Sequence, residues 1–137
     1  MNKNYDKSIE ILSSGSQETV VEKEVAGICE KMQITEERYG YILMAVTEAV
    51  NTALYPQNSD GGAPDKVKMS YAFTPEKLTV KVESSHAAFD KISTEDTERP
   101  EMLETNEGRT IFLMKKLSDD LEFKEQGTQA LLSFNLN

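Results

Sequence analysis

The sequence has a single cysteine, Cys29, and a single histidine, His86. One thiol cannot close an internal disulfide. Val25, Ile28 and Met32 surround it in helical spacing, so Cys29 is expected to be a reduced core thiol of a cytoplasmic protein. One histidine without a second, and without a nearby cysteine, does not make a metal site, and His86 is expected on a surface loop. Long apolar runs are missing as well: none approaches the roughly 18 residues that a membrane span requires. The polar start "MNKNYDKS" has no signal-peptide h-region. Basic residues are in deficit, 15 Lys and Arg against 24 Asp and Glu, for a formal net charge of -9. That balance excludes nonspecific nucleic-acid binding, which needs a local excess of Lys and Arg, and suits a basic protein partner or simple solubility. No internal repeat or low-complexity tract interrupts the chain.

What is present is an ordinary globular composition, 38% hydrophobic and 28% charged over 137 residues. This is the length of one domain, residues 1–137, that buries its core without metal or disulfide staples. "SIEIL" from Ser8 alternates as a strand does, and "SSGSQE" supplies a turn and a serine helix cap. Between Glu18 and Met32, Val21, Val25, Ile28, Cys29 and Met32 recur at three and four residues and predict a helix with one buried stripe. A second helix follows Thr35, an N-cap residue with Glu36 and Glu37 at the positive end of the helix dipole. Tyr39, Ile42, Leu43, Val46, Val50, Ala53 and Leu54 carry its apolar period until Pro56, which cannot continue it.

"PQNSDGGAPD" is dense in turn formers and predicts an exposed loop. Val67, Met69, Tyr71 and Phe73, then Leu78, Val80 and Val82, alternate with polar neighbours around a "TPEK" connection, predicting a hairpin with one wet face. Ser85 to Glu107 holds no period. Helical pattern resumes in "GRTIFLMKKLSDD", with Ile111, Met114 and Leu117 as its stripe and Lys115 and Lys116 on the exposed face. Strands around Leu121–Lys124 and Gln129–Leu136, joined by "EQGT", close the chain as a second hairpin. This order predicts an α/β two-layer sandwich, its sheet mixed but mostly antiparallel, with the helices on one face.

One stretch fits poorly with helix packing: "TEAVNTALYPQN", Thr47 to Asn58. Glu48 and Thr52 are four apart and Asn51 is three from Glu48, so a carboxylate, an amide and a hydroxyl project from neighbouring positions of one face, which Tyr41, Ala45 and Tyr55 extend. A solvated polar stripe has the same spacing. Function at this face needs other residues to converge on it.

"EAVNTA" in the second helix, "LTVKVESSHAAFD" leading out of a strand, "GRTIFLMKKLSDDLEF" after a loop, and a final "GT" before a strand together resemble the anti-sigma-factor serine kinases. Those are Bergerat-fold, histidine-kinase-like ATPases, grouped with histidine kinases and gyrase B. The resemblance spans nearly the whole chain, from about Ile9 to Leu136, and "GRTIFLMKKLSDDLEF" is its most specific part. It implies a histidine-kinase-like ATPase fold, Mg-ATP or ADP as the ligand class, and a protein partner, either a sigma factor or an anti-anti-sigma antagonist. A homodimer is compatible with it.

The resemblance also implies roles. Glu48 stands where the family has its general base or water organiser. The family's magnesium-holding Asn, four residues on, is here Thr52, with Asn51 one position early; these two are the metal candidates if Mg-ATP binds. A Thr hydroxyl can coordinate magnesium but is neutral and shorter than an amide. Ser84 stands where an acid would hold the adenine amino group, and His86 and Ala88 stand where glycines would let the backbone approach the nucleotide. Gly108 is kept, Arg109 can face an anion, and Thr110 takes the place of a second glycine at a helix start suited to phosphate. Thr128, in the closing "GT", completes the nucleotide-contact set. The stretch from Ser85 to Glu107 corresponds to the family's ATP lid and carries Asp90, Glu95, Asp96, Glu98, Glu101, Glu104 and Glu107 against Lys91 and Arg99. That sign is poorly disposed to close over a triphosphate, and a solvated loop has the same composition.

Two readings follow. In the first, the chain is an anti-sigma-type regulator that holds a protein partner and needs no cofactor, its nucleotide binding weakened or lost. In the second, it is a working serine kinase that uses Mg-ATP on an anti-anti-sigma partner, with Glu48 as base and Thr52 or Asn51 on the metal. A plain α/β interaction domain whose motif echoes are chance is the reading outside the family.

Overall fold

The computed structural model describes residues 7–12, 17–54, 66–85, 89 and 106–136, with 106–110 described through their backbone alone. The elements are β1 (Lys7–Leu12), α1 (Gln17–Met32), α2 (Glu36–Leu54), β2 (Lys66–Thr74), β3 (Lys77–Glu83), α3 (Asn106–Leu117), β4 (Asp120–Lys124) and β5 (Gln129–Asn135). The strands form one sheet in the order β1-β2-β3-β5-β4, and every neighbouring pair is antiparallel. The expected parallel component is missing among the described residues. The chain crosses from β3 through α3 to the sheet edge at β4, and the β4–β5 hairpin brings it back beside β3 in the opposite direction.

Register makes one face of the sheet apolar. Ile9, Met69, Val82, Ala130 and Phe123 stand in one cross-strand row, and Tyr71, Val80, Leu132 and Leu121 in the next. A slip of one residue would turn each row to the opposite face, so the pairing is strongly specified. Against this face α1 presents Val21, Val25, Ile28 and Cys29, and α2 presents Ile42, Ala45, Val46, Ala49, Val50, Ala53 and Leu54, all buried. The helix α2 lies in the middle, packed on α1, α3 and strands β2, β3 and β5. No helix among the described residues is long and apolar enough to cross a membrane.

Three local expectations need correction. The "TPEK" connection is a tighter turn, because Thr74 pairs with Lys77 and only Pro75 and Glu76 lie between the strands; the Thr74 hydroxyl accepts from the backbone N–H groups of Glu76 at 3.3 Å and Lys77 at 3.2 Å. The face expected to be wet holds four buried small residues, Ser70, Ala72, Thr79 and Ser133. Their hydroxyls are satisfied across strands, Ser8 with Ser70 at 2.9 Å and Thr79 with Ser133 at 3.5 Å, so burial there leaves no unpaired polar atom. Lys115 is half-buried, leaving Lys116 as the exposed member of that pair.

One end of the domain is tied together by polar contacts. Thr35 caps α2, its hydroxyl accepting from the Arg38 N–H at 3.3 Å. The Arg38 guanidinium donates to the Asn135 carbonyl. The Asn135 N–H donates to the Asp119 carboxylate at 2.6 Å, and the Asp119 N–H donates to the Ser133 carbonyl at 2.8 Å. The start of α2, the end of α3 and the end of β5 therefore meet here. It follows that the C-terminal third of α2, the start of α3, the end of β3 and the β4–β5 turn share the opposite end.

Candidate functional site

Glu48, Asn51 and Thr52 are all half-buried in the C-terminal third of α2. Successive residues of an α-helix are about 100° apart, so Asn51 and Thr52 diverge by that angle and Glu48 lies between their directions. Thr52 shares the line of Glu48 more closely. Its hydroxyl donates to the Glu48 backbone carbonyl at 2.8 Å, the back-bond typical of Thr inside a helix. The donor of that hydroxyl is thereby spent on the helix, and only its lone pairs remain for a cation or a phosphate-bound water. Among the described residues neither the Glu48 carboxylate nor the Asn51 amide has a hydrogen-bond partner. Ala45 does not extend this face: it is fully buried in the core, while Tyr41 is exposed. The stripe that points outward is Glu37, Tyr41, Met44 and Glu48, spaced four, three and four.

The exit from β3 is fixed by the β4–β5 turn. The Ser84 N–H donates to the Thr128 carbonyl at 2.9 Å, and the Phe89 N–H donates to the Gly127 carbonyl at 2.9 Å. The segment between Ser84 and Phe89 is thus held at both ends by one turn. Phe89 adds a hydrophobic anchor, its ring buried and stacked on Phe123 with centroids 5.2 Å apart and planes 9° apart. Periodicity gives Phe89 no role in the sequence; the available signal was a large aromatic within a polar, aperiodic stretch.

The turn itself carries three successive left-handed residues, Glu125 (φ 53°), Gln126 (φ 57°) and Gly127 (φ 83°). Glu125 and Gln126 are the central pair of a tight turn closed by the Gly127 N–H on the Lys124 carbonyl at 3.2 Å. A hairpin turn with φ positive at both centres matches strand twist but favours Asn and Gly there. The Thr128 hydroxyl donates to the Glu125 carbonyl at 2.8 Å, so it braces this turn.

Gly108, Arg109 and Thr110 lie within α3, which starts at Asn106, two residues earlier than the periodicity indicated, and ends at Leu117. The first N–H groups of a helix have no intrahelical acceptor, and together with the dipole they favour an anion at that end. Levels along the two antiparallel helices agree. Gly108 lies nine residues before the end of α3 and Glu48 ten residues beyond Arg38, about 14 and 15 Å from the clamped end at 1.5 Å per residue. Ala88, His86, Tyr55 and the acidic stretch from Asp90 to Glu104 lie outside the described residues.

The fold thus brings Ser84 against Thr128, keeps Thr52 on the line of Glu48, and carries the start of α3 to the same end of the domain. It does not bring Asn51 onto the line of Thr52. Among the described residues no cluster of three or more His, Cys, Asp or Glu side chains is arranged to hold a metal. The donors near Glu48 are carboxylate, amide and hydroxyl oxygens, a set whose chemistry suits magnesium rather than a softer ion.

A family model described as histidine kinase-like ATPase domain matches residues 14–134 of the sequence. No curated protein matches it. The match covers most of the chain, and the chain belongs to the histidine kinase-like ATPase domain family.

Proposed function

We propose, with that membership as premise, that the chain is an anti-sigma-type regulator that acts by holding a protein partner in a partner-switching pathway, its nucleotide binding weakened or lost. The observation that carries this reading is Thr52. It stands where the resemblance places a magnesium-holding Asn, and its short side chain is folded back on the helix by the 2.8 Å bond to the Glu48 carbonyl. Moving the amide to Asn51 does not repair the site, because that side chain leaves the helix about 100° away. Ser84 in place of an acid supports the same conclusion, since a neutral hydroxyl gives an adenine amino group a weaker acceptor than a carboxylate. Phosphoryl transfer relies on metal and cationic donors to neutralise developing charge, so a poorly held metal costs orders of magnitude in rate. Isothermal titration of the protein with Mg-ATP and Mg-ADP tests the proposal: no heat of binding up to millimolar nucleotide is expected, and micromolar affinity sinks it.

A second reading, an Mg-ATP-dependent serine kinase acting on an anti-anti-sigma partner, draws support from Glu48. Its carboxylate is half-buried at the end of the domain shared by the start of α3 and the exit from β3, where a carboxylate has the chemistry of a general base towards a hydroxyl. Thr52, with Asn51 beside it, would then hold the magnesium, which supplies charge neutralisation between the phosphates. Under this reading Glu48→Ala abolishes transfer to a partner serine and leaves ADP affinity nearly unchanged.

A further inference from the structure

Two large hydrophobic side chains on α2 face solvent, Tyr41 at 46% and Met44 at 51% exposure. Single exposed hydrophobics are commonplace, but these two are three residues apart and so adjacent on one stripe. Small residues lie beside them. Gly40 precedes Tyr41 on α2, and Gly27 with the exposed Ala26 lies on α1. The two helices are joined by the short turn at Gln33–Thr35; Gly27 is five residues before the end of α1 and Gly40 four after the start of α2, so they lie at the same level. Neither glycine has an internal reason to be there. A Cβ added at Gly27 or Gly40 would meet nothing within 4 Å, and neither takes a left-handed φ. Glycine inside a helix costs roughly 0.5–1 kcal/mol relative to alanine, a cost the fold does not need to bear. A surface cleared of side chains beside two exposed hydrophobics is what close approach by another molecule requires.

Charge states which molecule. Exposed Glu36 and Glu37 lie one helical turn before Gly40 and Tyr41, half-buried Glu48 one turn after Met44, and exposed Glu30 three residues after Gly27; Glu37 also accepts a hydrogen bond from the Tyr41 hydroxyl at 3.1 Å. Lys23 and Lys31, four residues to either side of Gly27, are the opposing exposed charges on α1, Lys31 also lying over the Phe73 ring at 5.3 Å, so the Tyr41–Met44 half of the patch is the acidic one. We propose that the outer face of the α1–α2 hairpin, centred on Gly27, Gly40, Tyr41 and Met44, docks a basic amphipathic helix of a protein partner. The apolar side of that helix covers Tyr41 and Met44, the glycines admit its backbone, and its Lys or Arg residues meet the rim of glutamates. The proposal rests on the reading that the chain works by holding a protein partner.

The test uses the 15N-labelled 137-residue chain and a synthetic helical peptide of about 18 residues, five turns, patterned in leucine and lysine, with a leucine–glutamate counterpart as control. Saturable shifts of the Gly27, Gly40, Tyr41 and Met44 amides are expected with the basic peptide and not with the acidic one. Raising the salt weakens the binding, because the rim charges are exposed. The double variant Tyr41→Ser/Met44→Ser is expected to bind about tenfold more weakly or worse, as loss of anchor side chains does. Both positions are exposed, and far-UV circular dichroism checks that the variant folds. Absence of saturable binding, equal binding of the acidic peptide, shifts confined to Glu48–Thr52 or to the sheet, or an unaffected double variant each overturns the proposal. Nucleotide titration decides the regulator reading independently, so the surface can fail while that reading stands, and the reverse.

Discussion

Replacing both helical glycines with alanine, Gly27→Ala/Gly40→Ala, is expected to stabilise the protein. The added methyl group at either position meets no atom within 4 Å, so it introduces no clash, and both backbones are right-handed helical. What remains is the entropy that glycine loses on folding, about 0.5–1 kcal/mol per site and about 1–2 kcal/mol for the pair if the two add. For 137 residues the unfolding entropy at roughly 2.1 cal/mol/K per residue is near 0.3 kcal/mol/K, so the melting temperature should rise by about 3–7 °C. Thermal unfolding by far-UV circular dichroism measures the shift, and urea unfolding checks that the midpoint moves with no change in slope. An unchanged or lowered melting temperature refutes the reasoning, because it means that a neighbour needs the space. The same variants bear on the docking surface. A gain in stability accompanied by weaker binding of the basic peptide is the signature of glycines kept for a partner rather than for the fold.

Gln126→Gly should stabilise by about 0.5–1 kcal/mol, since glycine takes φ near 57° without the Cβ conflict that glutamine meets there; a higher urea midpoint at constant slope checks it. Phe89→Ala should cost about 3–5 kcal/mol and Phe89→Leu less than half of that, because the buried ring on Phe123 is lost in full or in part; amide exchange at Ser84 should accelerate even in the Leu variant. Burial pushes the Cys29 thiol up from its ordinary range. The unfolded chain, ionising near pH 8.5, then gives up its proton before the folded one does, so stability is complete below that pH and falls above it, by at most about 1.4 kcal/mol per pH unit. Cys29→Ala should remove that slope, and alkylation of the native thiol should proceed only as fast as the protein opens.

Elements with a sustained period were legible in the sequence because burial repeats with the geometry of the backbone. The stripes of α1 and α2, the Thr35 cap and the alternation of β2, β3 and β5 follow directly from residue order. Boundaries were less so. Thr74 and Lys77 look like loop residues, yet they pair, because the Thr74 hydroxyl takes over the N–H groups that the turn would otherwise leave open. The start of α3 at Asn106 precedes any apolar repeat, so periodicity could not place it. The burial of Ser70 and Thr79 was invisible for a different reason: it depends on cross-strand hydroxyl partners that lie 62 and 54 residues away in the chain, respectively. At the candidate site, spacing alone put Thr52 on the line of Glu48. The direction of the Thr52 hydroxyl arises only in the folded chain, and the clamp of Gly127 and Thr128 on the exit from β3 only where residues distant in sequence meet.

Both functional readings meet on one stripe of α2. Met44 and Glu48 are four residues apart, about 6 Å along the axis, and the whole run from Glu37 to Glu48 is about 16 Å, three helical turns. A helix laid over Tyr41 and Met44 is therefore long enough to reach Glu48 without any change in the fold. In the kinase reading it would carry a hydroxyl towards that carboxylate; in the regulator reading it would cover the carboxylate and the lone pairs of Thr52. Either way partner and nucleotide would contact the same few residues of one rigid helix, so their binding free energies would be coupled, and by the same factor in each direction. Under the proposed regulator reading, a weakened nucleotide site would remove one side of that coupling and leave the Tyr41–Met44 surface intact, so that partner binding would not depend on nucleotide.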